Sequence, residues 1–353
     1  MSNGLDGVIA AETVLSHTDR RDGMVWVRGH DLPDLVNHHG FEGMVALLWD
    51  GFTGDGLTRA GIISSFGQAR VAAFADMTSW MPLAASRPIP EGIRIALAAQ
   101  PDAATPATLL ATLAVAVPAL LRAERGLIPV EPNPSLGTAG DLLRMLHGQA
   151  APPEMVSALD VYFTVMGESG LSASAFTGRC VASTHASLTS AVIAAWSAFT
   201  GALHGGAPGP TLDLIDAAQR QDDLVGWLEA RLGAGERLMG FGHRVFSGND
   251  PRAEQMRVAL NRMGPMAGRL AFAKQLEAAV AEAIERVKPG RKLPPNVEIM
   301  AALLLDVVGI PRQGFTPVFA VGRCAGWIAH ALEQRKTGRM IRPISAYVGP
   351  PIG

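Results

Sequence analysis

Apolar residues recur at helical spacing along most of the chain. Over residues 34–49, Leu35, Phe41, Val45 and Leu48 fall on roughly one face, the pattern of an amphipathic helix. The same criterion predicts helices over residues 105–122, 140–147, 153–166, 173–203, 222–232, 252–263, 269–287, 296–308 and 316–334. Residues 1–30 are glycine-rich, with a short strand candidate at 24–27. Because no strand series has βαβ spacing, we predict an all-α fold.

Two stretches rich in glycine and proline interrupt the helical pattern. Residues 205–210 and 309–314 combine residue types that end helices and start turns. With 353 residues, 48% of them hydrophobic, the chain is long enough for two domains. We predict a large helical domain made of residues 1–208 and 314–353, with a small helical domain, residues 209–313, inserted into it.

Two long apolar runs could be mistaken for membrane-spanning helices. No Asp, Glu, Lys or Arg lies between Arg179 and Asp213, yet Ser, Thr and His recur there, whereas a lipid-facing helix favours Leu, Ile and Phe. The run 103–121 is broken by Pro106 and Pro118. We therefore predict helices buried in protein on all sides, and no membrane partner.

Charge and cysteine content narrow the class further. A net charge of −2 favours neither a nucleic-acid partner nor an anionic membrane. A basic patch within residues 286–292 is typical of a solvated helix end, although it could help to hold the phosphates of a nucleotide. Cys180 and Cys324 are too few for a disulfide framework, and residues 1–6 lack a signal-peptide pattern. We therefore expect a cytoplasmic protein.

Two glycine-rich segments carry candidate chemistry. In residues 203–207, His204 precedes a glycine pair, which is typical either of a helix C-terminus or of a backbone that a ligand can approach closely. Residues 238–245 form a turn that presents His243 and Arg244, with Arg252 shortly after. This turn lacks the third glycine of a dinucleotide fingerprint, and a charged surface loop explains it equally well.

A third segment starts a helix at residue 296. Asn296 can cap this helix, and Glu298 then lies in the first turn, where the helix dipole favours a negative charge. This is an ordinary helix start unless Glu298 faces a cleft, where an ionised carboxylate could act as a general base. Arg323 has apolar neighbours and needs an anionic partner, either a structural carboxylate or a substrate.

No metal-binding pattern is convincing in the sequence. The pairs that come nearest lack the further ligands of a closed site; they are His38 with His39, and His330 with Glu333. We therefore predict no metal centre.

Taken together, these segments resemble the citrate synthase family in order and spacing over nearly the whole chain. They are residues 4–8 (GLDGV), 28–32 (RGHDL), 203–207 (LHGGA), 239–245 (MGFGHRV), 250–252 (DPR), 296–298 (NVE), 315–317 (FTP), 322–327 (GRCAGW), 341–343 (IRP) and 347–350 (YVGP). The resemblance implies a two-domain helical fold with a short N-terminal β-hairpin-like segment and a cleft that closes on substrate. It also implies a homodimer.

The same resemblance implies a division of labour among three catalytic residues. His204 would donate a hydrogen bond to the thioester oxygen and stabilise the enol, since an enolate needs a donor where its charge develops. Glu298 would take the methyl proton, and His243 would polarise the keto oxygen of oxaloacetate.

Substrate binding follows from the resemblance as well. Arg252 and Arg323 would bind the carboxylates of oxaloacetate through their planar guanidinium groups, as would Arg342, contributed by the partner subunit. Acetyl-CoA would be a co-substrate, with no permanently bound cofactor. The residues expected to contact CoA are Leu238, Met239, Gly240, Phe241, Gly242 and Arg244.

The sequence departs from the family pattern at several site positions. Glu298 stands where Asp is usual, and a misplacement of about 1 Å can cost roughly a hundredfold in rate. Met166 and Ser169 take the places of two histidines, and Ser172 that of an asparagine. Ser169 could still bind substrate, but from a shorter side chain. Pro208 stands where Asn is usual.

The leading hypothesis is therefore a citrate synthase of the tricarboxylic acid cycle, an acyltransferase acting on acetyl-CoA and oxaloacetate. A 2-methylcitrate synthase using propionyl-CoA is the first alternative, because one methylene is worth only about 1–3 kcal/mol in a pocket. A CoA- or metabolite-binding protein without efficient catalysis is the second, suggested by the loss of histidine at Ser169.

Overall fold

A computed structural model of the chain describes residues 4–5, 7–19, 23–206, 208–242 and 250–351. Helices account for 62% of the chain and strands for 4%, so the predicted all-α fold is confirmed. The N-terminal segment forms an antiparallel sheet of three strands in the order β1 (Ser16–Asp19), β2 (Met24–Val27) and β3 (His30–Asp31). Strand β2 coincides with the predicted strand.

Sixteen α-helices follow the sheet in the described ranges. Those before residue 207 are α1 (Leu32–Asp34), α2 (Gly40–Trp49), α3 (Arg59–Asp76), α4 (Met81–Ala84), α5 (Ile89–Ala98), α6 (Pro106–Ala123), α7 (Thr138–His147), α8 (Pro153–Met166), α9 (Ala173–Ala182) and α10 (Leu188–Phe199). Those after it are α11 (Pro208–Ala218), α12 (Leu224–Gly233), α13 (Pro251–Arg262), α14 (Leu270–Val287), α15 (Val297–Val307) and α16 (Phe315–Thr337).

The single helix predicted over residues 173–203 is wrong. Helix α9 ends at Ala182 and α10 begins at Leu188. Between them His185 has a φ of 62°, a left-handed conformation that a right-handed helix does not contain. Ser187 then caps α10 by accepting the N–H of Ser190 at 3.0 Å. Because α10 ends at Phe199, His204 lies in a turn beyond it.

The two apolar runs have different surroundings. Among the described helices, α6 has the length and composition to cross a membrane, and 72% of it is buried inside the chain, as in a core helix. It packs against α3, α5 and α16. Helix α10 leaves Ser190 and Ser197 exposed, so within one chain it is not surrounded by protein on all sides.

Buried apolar side chains form one large cluster that extends from Leu15 to Ala331. Helix α8 packs against α13, α15 and α16 within it, and these four helices carry Tyr162, Arg252, Glu298 and Arg323. The predicted domain boundaries coincide with the start of α11 and with a 3₁₀ turn, Arg312–Gly314. The division into two domains stays a prediction.

Candidate active site

Arg323 on α16 is buried at the centre of the candidate site. Its Nε donates to the carbonyl oxygen of Met166 at 2.6 Å, and its guanidinium lies 4.8 Å from the centre of the Phe319 ring. Burial lowers the pKa of Arg323 to about 10, although Glu168 acts to raise it. Within the described ranges Arg323 forms no ion pair, so its outer nitrogens can bind an anion that a ligand supplies.

Glu298 lies in the first turn of α15, as predicted. Asn296 caps the helix by accepting the N–H of Glu298 at 2.9 Å. The Oε2 atom of Glu298 is buried and finds no hydrogen-bond partner among the described residues. Burial raises the pKa of this carboxyl to about 7, against the opposing charges of Arg252 and Arg323. Burial therefore outweighs the helix dipole, and the group is suited to accept a proton near neutral pH.

Arg252 lies in the first turn of α13 beside the residue that caps this helix, Asp250. Its Nε and Nη2 donate to the two carboxylate oxygens of Asp250 at 3.0 and 2.7 Å. Burial by itself lowers the pKa of Arg252, but the charges of Asp250 and Glu298 raise this pKa above its ordinary value. Arg252 thus remains a cation and is held in one orientation.

His204 is fixed by a chain of hydrogen bonds. Its Nε2 accepts the backbone N–H of Ser174 at 3.4 Å and lies 2.8 Å from the Ser174 hydroxyl, which in turn accepts the Trp327 indole N–H at 3.0 Å. Because a backbone N–H only donates, Nε2 is the unprotonated nitrogen. Burial and the charge of Arg323 lower the pKa of His204 to about 4. The neutral ring therefore carries its proton on Nδ1, which is left to donate to a ligand.

Four predicted site residues are brought together by this arrangement. The charge of Arg323 affects the pKa of His204 and of Glu298, and the charge of Arg252 affects the pKa of Glu298 and of Arg323. Groups that influence each other's protonation are close in space. The site therefore combines a neutral imidazole, a carboxyl with a pKa near 7 and two guanidinium groups.

A cavity of about 780 Å³ opens beside one of these groups, Arg252. Ser169, Ser172 and Arg252 line it, together with Glu168 and part of the N-terminal segment. Ser169 lines the same cavity as Arg252, and its role in substrate binding stays a prediction. Met166, at the other histidine position, is buried in the core.

Glu168 is an ionised carboxylate behind the loop that carries Ser169. Its Oε1 accepts the Ser16 hydroxyl at 2.8 Å and lies 3.1 Å from Nε2 of His330. Burial raises the pKa of Glu168, but His330, Ser16 and Arg323 together hold it below its ordinary value. Glu168 therefore connects its own loop to α16, through His330, and to strand β1, through Ser16.

The glycine turn at residues 238–242 is tied to the start of α15. Asn296 donates its backbone N–H to the Gly240 carbonyl and its side-chain amide to the Gly242 carbonyl, both at 2.9 Å. Gly240 has a φ of 84°, and a Cβ there would lie 2.6 Å from Ile299. Only glycine fits this position. The turn and the helix that carries Glu298 therefore form one rigid unit.

A smaller cavity of about 230 Å³ lies against the outer side of this turn. Leu238 and Phe241 contribute apolar walls, and Arg237, Lys288 and Arg291 contribute positive charge. By sequence, the basic residues within 286–292 fit either a solvated helix end or a site for phosphates. Their position beside a flat apolar wall favours a site for an anionic nucleotide.

The described residues do not place every predicted site residue at the site. His243 and Arg244 lie outside the described residues. Arg342 is exposed on the segment 338–351 that follows α16, and the described residues provide no contact between it and the site. Its contribution from a partner subunit stays a prediction.

Two further residues of the site escaped the sequence analysis. Tyr162 on α8 is buried, its hydroxyl has no hydrogen-bond partner among the described residues, and burial and the charge of Glu298 raise its pKa. Ser174 orients His204, as described above. A tyrosine within an apolar helix and a serine in a small-residue run carry no signal of function, so only their neighbours in space reveal them.

Comparisons with known proteins agree with this arrangement. The family model described as "Citrate synthase, C-terminal domain" matches residues 4–344. The citrate synthase of Haloferax volcanii is 32% identical over 386 residues, covering 99% of this chain and 96% of its own. The chain belongs to the citrate synthase family. The 2-methylcitrate synthase of Mycobacterium tuberculosis is 31% identical over 365 residues, covering 99% and 91% of the two chains.

The fold is that of citrate synthases as well. The crystal structure of citrate synthase from Thermotoga maritima matches with a TM-score of 0.85 and 26% identity, covering 99% of this chain and 96% of that one. Because relatives named citrate synthase and 2-methylcitrate synthase are almost equally similar, family membership leaves the acyl-CoA substrate open.

Proposed function

We propose that the protein is a citrate synthase, which condenses acetyl-CoA with oxaloacetate to give citrate and free CoA. One observation carries the proposal: the charge of Arg323 acts on a neutral histidine, and the charges of Arg323 and Arg252 act on a carboxyl with a pKa near 7, whose Oε2 has no hydrogen-bond partner among the described residues. Enolising a thioester requires a base and a hydrogen-bond donor on opposite sides of the acyl group. Binding a dicarboxylate requires fixed cations.

Oxaloacetate binds first to the arginines in this mechanism. Arg323 is a buried cation without an ion pair among the described residues, so a substrate carboxylate supplies the anion that its burial demands. Arg252 faces the large cavity from α13 and binds the second carboxylate. Ser169, on the same cavity wall, donates a hydrogen bond to the substrate.

Acetyl-CoA is then enolised between Glu298 and His204. Glu298 takes a proton from the methyl carbon, and the electrons of that C–H bond form a carbon–carbon double bond as the carbonyl π electrons move onto the thioester oxygen to give the enolate. The Nδ1–H of His204 hydrogen-bonds the thioester oxygen, where negative charge develops. Because the histidine is already neutral at pH 7, it donates this bond without first losing a proton.

The enol carbon then attacks the keto carbon of oxaloacetate. The new carbon–carbon bond forms as the keto oxygen becomes an alkoxide and takes a proton, the role that the family resemblance gives to His243. Water hydrolyses the thioester of the resulting citryl-CoA and releases citrate and CoA. The nucleotide of CoA occupies the cavity beside Phe241, with its phosphates near Arg237, Lys288 and Arg291.

The assay that tests the proposal follows free thiol release. Purified protein is mixed with acetyl-CoA or propionyl-CoA and a panel of 2-oxo acids. Turnover with acetyl-CoA and oxaloacetate is the expected result. Turnover with propionyl-CoA alone would make the protein a 2-methylcitrate synthase, the alternative that the 31% identical relative supports. CoA binding without thiol release would contradict both and leave a binding protein.

We also propose a cytoplasmic homodimer in which Arg342 completes the partner's site. The segment that carries Arg342 exposes apolar side chains, including Ile344 at 100% and Val348 at 93%, which a second subunit would cover. Co-assembly of Glu298→Gln with Arg342→Ala chains tests this. If Arg342 acts across the interface, mixed dimers contain one intact site and recover activity; if it acts within its own chain, no site is intact.

A further inference from the structure

The corner between β3 and α2 carries three histidines and an aspartate that the proposed chemistry does not use. His30 lies on β3, Asp34 ends α1, and His38 and His39 lie in a π-helical turn, Leu35–His39. Taken from the sequence, the His38–His39 pair offers too few ligands for a metal. The fold adds His30 and Asp34 as further ligands beside this pair.

The side chains of this corner converge on one carboxylate. Nδ1 of His30 lies 2.6 Å from Oδ2 of Asp34, and Nε2 of His39 lies 3.7 Å from the same oxygen. One ligand atom from each of His30, Asp34 and His39 lies within 4.8 Å of the other two. Nδ1 of His38 lies 2.7 Å from Oδ1 of Asp34, which holds the carboxylate in its orientation.

The π-helical turn is the reason that His39 reaches this carboxylate. In an α-helix, residue i+5 turns away from residue i, whereas a turn closed by i→i+5 hydrogen bonds brings it back. Gly40, which has a φ of 63°, closes the turn by donating its N–H to the carbonyl of Leu35. A Cβ on Gly40 would lie 2.8 Å from Oδ2 of Asp160, so the chain needs glycine here.

We propose that His30, Asp34 and His39 bind a divalent transition-metal ion of the zinc type. Two imidazole nitrogens and one carboxylate oxygen are ligands that Zn²⁺ accepts at about 2.0–2.2 Å. Water or His38 completes a tetrahedral shell. To admit the ion, the short His30–Asp34 contact opens, which needs only a rotation of two half-exposed side chains. Mg²⁺ and Ca²⁺ prefer oxygen ligands, so neither fits this set.

The test is a zinc titration of the full chain after removal of metals with a chelator. A chromophoric chelator competes for Zn²⁺ and reports affinity and stoichiometry. We expect the unmodified chain to bind one Zn²⁺ that His30→Gln and His39→Gln bind at least about 10–100-fold more weakly, since the loss of even an outer-shell partner costs that much. His185→Gln is the matched control, because His185 is also exposed but lies between α9 and α10. Mg²⁺ in excess should not displace the zinc.

Two results would overturn the proposal. One is zinc binding of unchanged affinity and stoichiometry in His30→Gln and His39→Gln, since the ion would then sit on other histidines. The other is the absence of zinc binding by the unmodified chain. If either variant failed to fold, anomalous diffraction from zinc-soaked crystals of the unmodified chain would decide. A zinc peak between His30 and His39 supports the site, and its absence there excludes it.

Discussion

Replacing Glu298 with glutamine should remove most turnover and yet stabilise the protein at alkaline pH. The folded chain raises the pKa of Glu298 from 4.5 to about 7. Folding therefore favours the protonated carboxyl, and the stability of the chain falls as the pH rises through this interval. Above pH 7, the cost of keeping the ionised group buried is about 3 kcal/mol. Glutamine avoids this cost, because it is neutral at every pH.

The assay combines thermal unfolding at two pH values with turnover. At pH 8.5 we expect Glu298→Gln to unfold roughly 5 °C above the unmodified protein, and at pH 4.5 the two should coincide. Turnover should fall by about 10²–10⁴, the usual contribution of a general base. In the unmodified protein, kcat/KM should decline as the pH falls below about 7, since the base must be ionised.

A second buried carboxylate supplies the contrasting control. The pKa of Glu168 is held below its ordinary value by its partners, so its ionised form stabilises the fold above that value and the contribution is lost in acid. Glu168→Gln should therefore lower the unfolding temperature at pH 8.5. If Glu298→Gln turned over within tenfold of the unmodified protein, or lowered the unfolding temperature as Glu168→Gln does, the assignment of Glu298 as a buried base would be refuted.

Three further substitutions separate stability from chemistry. Asp160→Asn should raise the unfolding temperature above pH 7, because burial and the nearby Glu42 raise the pKa of Asp160 to about 7, while turnover in the thiol assay stays unchanged. Ser174→Ala should lower kcat about tenfold with little change in the KM for oxaloacetate, since His204 loses a hydrogen bond worth about 1–1.5 kcal/mol; an unchanged kcat would contradict the orienting role. Gly240→Ala should lower the free energy of unfolding by about 1–3 kcal/mol, and it should also lower kcat/KM for the acyl-CoA. The control Gly233→Ala should lower neither, because a Cβ at Gly233 has no atom within 4 Å.

Helix content and the position of several site residues followed from local rules that the sequence obeys. The Asn296 cap and the first-turn position of Glu298 were predicted correctly, because capping depends only on residues within one turn. The strand at residues 24–27 and the helix over 153–166 were predicted with the same limits as in the structure. Where the local pattern was ambiguous, the prediction failed: the small residues of 173–203 suit a continuous helix, and nothing in them signals the reversal at His185.

The order and spacing of the motifs identified the family from sequence alone, and the family model that matches residues 4–344 confirms it. The protonation state of the site was a different matter. The sequence suggested an ionised Glu298 at a helix start, and only its burial raises its pKa toward neutrality, against the charges of Arg252 and Arg323. Likewise, Ser174 and Trp327 select the tautomer of His204 across large separations in sequence. Sequence therefore determined which groups are present and which helices carry them, whereas tertiary packing determined their charge and orientation, because both depend on burial and on neighbours that are distant along the chain.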